Sequence, residues 1–117
     1  MKGIGIVNDA ITGTASIGSN ELTNICNTWL EKGIYYINTH IRATLTNECN
    51  FDQYILVDDH QDARGSNSNV FGAGFNDNNI GFILEISATS SNVVLQVRHY
   101  SGERLSVHGW MFVTRIK

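Results

Sequence analysis

The sequence predicts an all-β domain, built as an antiparallel sandwich or barrel. Three observations carry this prediction. β-Branched residues are plentiful, with thirteen isoleucines and eight valines, whereas strong helix formers such as alanine and lysine are scarce. Thirteen asparagines and eleven glycines supply residues typical of turns. Segments of alternating apolar and polar residues are separated by turn signals at intervals of about 8–12 residues.

Size and charge narrow the class further. A chain of 117 residues is the length of one domain, and 42% hydrophobic with only 16% charged residues is typical of a folded chain. The net charge of −3 argues against a nucleic acid or an anionic membrane surface as the main partner. No apolar run approaches the ~18 residues of a membrane-spanning helix, so no membrane insertion is expected.

The first third of the chain contains one segment of open assignment. Residues 1–13 are predicted to form an extended lead-in or attachment segment and residues 14–117 the β-sandwich domain, with a first strand near 14–18. No continuous apolar stretch marks the start as a signal peptide. Residues 19–33 space four apolar residues as a helix does, yet their Thr and Asn residues favour a strand. A strand is the preferred interpretation, and a short helix stays open.

From Ile34 onward the alternation is clear. One long strand is predicted to bury Tyr35, Ile37, Thr39, Ile41, Ala43 and Leu45. A second, after the turn at 46–50, places Phe51, Gln53, Ile55 and Val57 on one side. Then follow a polar loop at 58–69, a short strand at 70–75 and a turn at 76–79. A strand at 80–89, a tight hairpin at 90–92, a strand at 93–100 and one bent or two short final strands complete seven to nine strands.

The residues of catalysis do not assemble into a recognised pattern. The four histidines have no metal-ligand spacing, and neither phosphate-loop nor nucleophile motifs occur. We therefore expect no enzyme, no catalytic residue, no metal and no cofactor. Cys26 and Cys49 are expected to be reduced, half-buried thiols. A single bridge between them stays open and would require Cα atoms within about 7 Å.

Polar loops on a rigid sandwich are the usual carriers of binding residues. The predicted loop 58–69 and turn 76–79 are therefore the candidate receptor-binding segments, and the acidic cluster in the first leaves ion binding open. The candidate residues are Asp58, Asp59, His60, Asp62, Arg64, Asn76, Asp77 and Asn78.

The last strand suggests self-association because both of its faces are largely apolar. Trp110, Phe112 and Thr114 alternate with Met111, Val113 and Arg115, so one face can cover the core while the other needs a partner. The residues predicted to line a subunit interface are Tyr36, His40, His99, Tyr100, Met111 and Val113.

A monomeric carbohydrate-binding module is the alternative prediction. Aromatic rings beside Asn and Asp residues are a common way to bind sugars, because the ring face packs on C–H groups while polar groups bind hydroxyls. Trp110 or Tyr54 would then be the exposed stacking platform.

Three stretches together resemble a known group of domains. LEKGIYYINTHIRA, NVVLQVRHYSGERLSV and WMFVTRIK resemble the entry strand, penultimate hairpin and closing strand of trimeric globular heads. These are the heads of complement and tumour-necrosis-factor proteins and their counterparts at the tips of bacteriophage fibres. The resemblance covers about residues 14–117. It implies a jelly-roll β-sandwich that forms a homotrimer and, in phage, serves as a fibre, spike or capsid decoration.

The resemblance also implies a function. We expect a virion structural or adhesion protein, made in the host cytoplasm, that contacts other virion proteins. A host cell-surface glycan or protein is the candidate receptor. Three weak sites bound together can exceed the affinity of one site by about 10²–10⁴-fold. A decoration protein with no receptor is the other form that such a virion role could take.

Overall fold

The computed structural model describes residues 5–6 and 11–117, and every regular element among them is a β-strand. The prediction of an all-β antiparallel fold is confirmed. The seven strands are β1 (Gly5–Ile6), β2 (Ile11–Ile17), β3 (Thr23–Leu45), β4 (Cys49–Val57), β5 (His60–Phe71), β6 (Gly74–His99) and β7 (Leu105–Arg115).

The strands form two layers. In the front layer β1 and β2 pair with β7, and β7 pairs with residues 35–42 of β3. Residues 33–45 of β3 pair on their other side with residues 74–86 of β6. In the back layer, residues 23–31 of β3 pair with residues 90–97 of β6, and β6 pairs with β4, which pairs with β5. All of these pairings are antiparallel, and among the described strands only β4 and β5 pair with a direct neighbour in sequence through a short turn.

Two long strands cross from one layer to the other. β3 has 23 residues and β6 has 26, and their mutual register shifts between Glu31 and Gly33. Three residues of β6, 87–89, lie unpaired at this shift, where an irregular ladder lets the strands bend. The predicted strand within 19–33 is confirmed, whereas the predicted tight hairpin at 90–92 is wrong, because β6 continues through it.

Two further segments predicted as irregular are also strands. The predicted loop 58–69 is a β-hairpin, in which only Asp58 and Asp59 form the turn between β4 and β5. Both turn residues have positive φ, 49° and 69°, as a type I′ turn requires. The predicted turn at 76–79 lies inside β6, paired with β3. Both errors have one cause, since hydrogen bonds of a ladder are indifferent to side-chain polarity.

The core lies between the layers and follows the predicted alternation. Tyr35, Ile37 and Ile41 of the front layer are buried, as are Phe51 and Ile55 of the back layer. Two glycines mark close approaches of the layers. A Cβ on Gly109 would lie 2.8 Å from Ile25 and 3.1 Å from Leu95 of the back layer; one on Gly65 would lie 2.6 Å from Phe82 of the front layer. Side chains there would force the sandwich apart.

The chain start is described only in part. Of the predicted lead-in 1–13, residues 1–4 and 7–10 lie outside the described residues. Gly5–Ile6 and the first residues of β2 pair with β7, so parts of the lead-in belong to the sheet. Across the described positions no helix has the length and apolar character needed to traverse a bilayer.

Candidate binding surfaces

The outward side of the front layer carries a group of exposed or half-buried aromatic and apolar residues, here called the aromatic face. It consists of Tyr36, His40, Ile83, Trp110 and Phe112. Their positions follow from register, since His40 lies opposite Trp110 on β7, and Tyr36 lies opposite Ile83 on β6. Phe112 keeps 45% of its surface exposed and Tyr36 keeps 40%. Alternation thus turns one apolar side of β3 and β7 inward and the other outward.

The rings of the aromatic face contact one another and a charged pair. The His40 ring lies edge-on to Phe112 with centroids 5.6 Å apart, and His108 stacks on Trp110 at 4.1 Å. Arg42 places its guanidinium 4.7 Å from the centre of the Trp110 ring. The same guanidinium donates to Asp77 at 2.9 Å. The only cation that lies over Trp110 in the described chain is therefore already paired.

The six predicted interface residues divide into three groups. Tyr36 and His40 belong to the aromatic face, so they remain candidates for an interface. Met111 and Val113 lie on the inward side of β7 and are buried in the protomer core, which makes their prediction as interface residues wrong. The outward residues that alternate with them, Trp110 and Phe112, take their place.

His99 is also wrong as an interface residue, because it is fully buried inside the protomer. Its Nε2 lies 2.8 Å from the carbonyl oxygen of Ile17, and Ser101 donates its backbone N–H to Nδ1 at 3.3 Å. These two partners indicate the neutral tautomer with the proton on Nε2. His99 therefore joins β6 to the end of β2, which is a structural role.

Tyr100, the sixth residue, belongs to a polar network around Asp52. The Tyr100 hydroxyl donates to the Asp52 carboxylate at 2.8 Å, and Arg98 donates to it at 3.2 Å. Ser68 and Tyr54 donate to it as well. Burial would by itself raise the pKa of Asp52, but the hydrogen bonds from Ser68, Tyr100, Arg98 and Tyr54 outweigh it and lower that pKa.

The predicted receptor-binding residues occupy two separate places. Asp58, Asp59 and His60 lie at the β4–β5 turn. The second group, Asn76–Asn78, borders a depression of about 180 Å³ together with the far end of β5. Because the two groups lie at opposite ends of β5, they do not form one site. Their role in receptor binding stays a prediction.

Several of these residues have defined local partners. The Arg64 backbone N–H donates to the Asp62 carboxylate at 2.9 Å, which fixes both within β5. Asp58 accepts from the backbone N–H of Asn92 at 2.9 Å, and hydrogen bonds from Ser91 and Asn92 lower its pKa. Asp58 therefore holds Asn92 in place. Nowhere in residues 5–6 and 11–117 do three or more His, Cys, Asp or Glu residues group as metal ligands do.

The two cysteines are free thiols in partly buried positions. Burial raises the pKa of Cys26 to about 11, and burial also raises the pKa of Cys49. The predicted unpaired state is confirmed, and the alternative bridge is absent. Both thiols are protonated at neutral pH, so neither has the thiolate character that a nucleophile needs.

Neither predicted sugar-stacking platform presents a free ring. Trp110 is engaged by His108 and Arg42, and Tyr54 is half-buried with its hydroxyl donated to Asp52. The sequence interpretation passed over Trp29, which lies on the outward side of the back layer with 64% of its surface exposed. In the sequence, Trp29 is one of the four apolar residues whose helical spacing within 19–33 left a short helix open.

Trp29 adjoins a shallow depression of about 310 Å³ in the back layer. The described residues that line this back-layer depression are Asn24, Ile25, Cys26, Asn27, Asn92 and Val94. Asn92 lies directly opposite Trp29 in the ladder, and Asn27 precedes Trp29 by two residues on the same side of β3. The depression is therefore framed by amides and one exposed indole.

Comparison with known structures places this architecture among jelly rolls. The globular domain of a zebrafish complement 1qA protein is similar to the chain, with a TM-score of 0.50 and 9% sequence identity. The similarity covers 94% of this chain and 96% of that domain. The fold is a jelly-roll β-sandwich. No family model matches the sequence, and no curated protein matches it either. The complement-like fold implied by the sequence resemblance is thus confirmed.

Proposed function

We propose that the chain is a non-catalytic jelly-roll module that forms a homotrimer through its aromatic face and binds a partner surface multivalently. In this proposal it serves as the head domain of a phage fibre, spike or capsid decoration. It would fold in the host cytoplasm, contact other virion proteins and, in an adhesive role, bind a host-surface glycan or protein. The free thiols of Cys26 and Cys49 are consistent with folding in a reducing compartment.

The observation that carries this proposal is the aromatic face itself. A contiguous patch of Tyr36, Ile83 and Phe112 on the surface of one protomer loses its contact with water when a second copy covers it. The charged pair beside Trp110 is compatible with such burial, because Arg42 and Asp77 neutralise each other in an ion pair of 2.9 Å. Closed threefold symmetry lets every copy cover the patch of a neighbour.

Light scattering on a sizing column tests the assembly. A mass of about 39 kDa, three times the 13.0 kDa chain, is expected for the unaltered protein. Phe112→Asp and Ile83→Asp place a carboxylate in the buried interface, so both variants should elute as monomers. Val70→Asp is the control, because Val70 is also apolar and, at 63% exposed, more accessible than Phe112, but lies on β5. A monomeric unaltered protein, or trimers in both face variants, would contradict the proposal.

Two further measurements separate the adhesive role from the decorative one. Binding of the labelled trimer to host cells supports the adhesive role, and it should weaken by about 10²-fold or more in the monomeric Phe112→Asp variant. A rise in the thermal stability of capsids on addition of the trimer, without cell binding, supports decoration instead. If a protein of confirmed trimeric mass shows neither effect, the virion role is refuted.

A further inference from the structure

The strongest unassigned feature is the exposed indole of Trp29 beside the back-layer depression. The neighbouring Val94 points outward from β6 yet is buried, and it forms part of the depression's lining. The surface thus has an apolar patch at its base and a bare aromatic ring at its side. Such a pairing suits a flat ligand with apolar C–H groups on one face.

The polar groups around the depression are amides arranged in two bonded pairs. Asn27 donates from Nδ2 to Oδ1 of Asn92 at 2.9 Å, and Gln96 donates from Nε2 to Oδ1 of Asn24 at 3.0 Å. An amide side chain has two donor hydrogens and an acceptor oxygen, so each pair retains both a donor and an acceptor after forming its mutual bond. Sugar hydroxyls, which donate and accept at once, match this chemistry.

A β-bulge creates this arrangement. The register of β3 with β6 shifts between Asn24 and Cys26, so Asn24 lies opposite Gln96 while Asn27 lies opposite Val94. In a regular strand, residues 24 and 27 would point to opposite sides. The extra residue, Ile25, turns inward against Gly109, and both asparagines consequently face the ligand side.

The charge of the site selects among ligands. None of the described residues that line the depression carries a charge at neutral pH, since Cys26 stays protonated. A phosphorylated or sulfated ligand would find no cation in the lining, whereas an uncharged ligand has no desolvation penalty of that kind to overcome. The volume of about 310 Å³ lies at the lower end of small-ligand sites.

We propose that the back-layer depression binds an uncharged glycan, with one sugar ring stacked on Trp29 and its hydroxyls bonded to the amides of Asn27 and Asn92. This inference adds a ligand class to the proposed function. It rests on the proposed function only for multivalent binding, since a single protomer contains the whole site. Because the depression and the aromatic face lie on opposite outer sides of the sandwich, trimerisation through the aromatic face leaves the site open.

Two binding formats test the site. Immobilised neutral polysaccharides on an array give the multivalent signal, and calorimetric titration with soluble neutral hexasaccharides of glucose, mannose, galactose and N-acetylglucosamine gives the monovalent one. Trp29→Ala should weaken the calorimetric affinity about tenfold or more, and Asn27→Ala several-fold. Phe75→Ala, which removes an aromatic side chain that is 61% exposed on β6 and lines neither depression, should bind as the unaltered protein does.

The outcomes separate this inference from the trimer. The Phe112→Asp variant should keep the calorimetric affinity and lose only the avidity on the array. Trp29→Ala should keep the trimeric mass and lose both signals. Absence of binding to every neutral glycan in both formats, or undiminished binding by Trp29→Ala, overturns the inference. A preference for sulfated or sialylated glycans over all neutral ones overturns it as well.

Discussion

Asp52 shows how a single side chain can join its own strand to the strands on both sides of it. It is a buried carboxylate of β4 that accepts hydrogen bonds from Ser68 on β5, from Arg98 on β6 and from Tyr100 just beyond it. These bonds compensate the loss of water around the charge, as a buried carboxylate requires. The network of side chains around Asp52 is thus structural, and the hydroxyl of Tyr100 is hydrogen-bonded within the protomer.

Replacing Asp52 by Asn should lower the free energy of unfolding by about 1–2 kcal/mol near pH 7, because the variant loses charge-assisted hydrogen bonds. The folded state lowers the pKa of Asp52, so its stabilisation is present above the unfolded value of about 3.9 and is lost as the pH falls through the folded value. Urea unfolding between pH 7 and pH 2 should therefore show the two proteins converging in acid.

The control for this experiment is Glu48→Gln, which removes one negative charge from the exposed turn between β3 and β4. Its stability should follow that of the unaltered protein at every pH. A constant difference between Asp52→Asn and the unaltered protein down to pH 2 would show that the carboxylate charge is not the stabilising group.

The thiols make a second prediction for single residues. Because burial raises the pKa of Cys26 to about 11, a thiol reagent at pH 7.5 meets almost no thiolate in the folded chain. Cys49 is shifted in the same direction. We expect labelling of the native protein by iodoacetamide to be at least tenfold slower than labelling in 8 M urea, followed by mass spectrometry. Equal rates in both states would contradict the buried positions.

At the scale of elements, the β4–β5 hairpin depends on its two-residue turn. Asp59 adopts φ of 69°, a region where a side chain is strained and glycine is not. Asp59→Gly should therefore stabilise the protein by about 0.5 kcal/mol, after allowing for the greater freedom of glycine in the unfolded chain. Asp58 is left unchanged in this test because it also bonds to Asn92.

Gly74→Ala provides the opposite test at the start of β6. Gly74 has φ of 94° with open space around it, so an added methyl group meets no neighbour and only the backbone is strained. We expect a loss of about 1–2 kcal/mol in urea unfolding. A neutral result in both variants would mean that these turns relax at little cost.

At the scale of the whole molecule, association and stability should be coupled. A protein whose folded state assembles and whose unfolded state does not becomes more stable as its concentration rises. The melting temperature of the unaltered chain should therefore increase between 1 μM and 100 μM. In Phe112→Asp it should be independent of concentration, and differential scanning fluorimetry at both concentrations measures this difference. A concentration-independent melting temperature in both proteins would contradict assembly of the folded state.

The sequence was informative wherever alternation had one possible meaning. Tyr35, Ile37 and Ile41 were predicted to be buried, and they are, because a period of two in a strand is a local property. The same pattern in β7 gave two apolar faces, and either of them could have been the buried one. Only the pairing of β7 with β2 and β3 decided that Met111 and Val113 face the core and Phe112 faces outward.

The polar segments show the limit of local signals. Residues 60–69 and 76–79 have the composition of loops, yet they form strands because β4 and β3 supply partners for their backbone groups. Residues 90–92, where a hairpin is expected, are also turn-forming, but β6 continues through them as a strand. Turn-forming residues permit a turn, but whether a turn forms depends on hydrogen bonds to strands that are distant in sequence.

By itself, the sequence determined the all-β class, the inward residues of most strands and the free state of both thiols. The tertiary structure alone decided which outward surfaces exist: the aromatic face and the amide-framed depression at Trp29. The physical reason is that burial along one strand depends on near neighbours in sequence. A surface, in contrast, is assembled from strands far apart in the chain, and here one of them is re-registered by a bulge between Asn24 and Cys26.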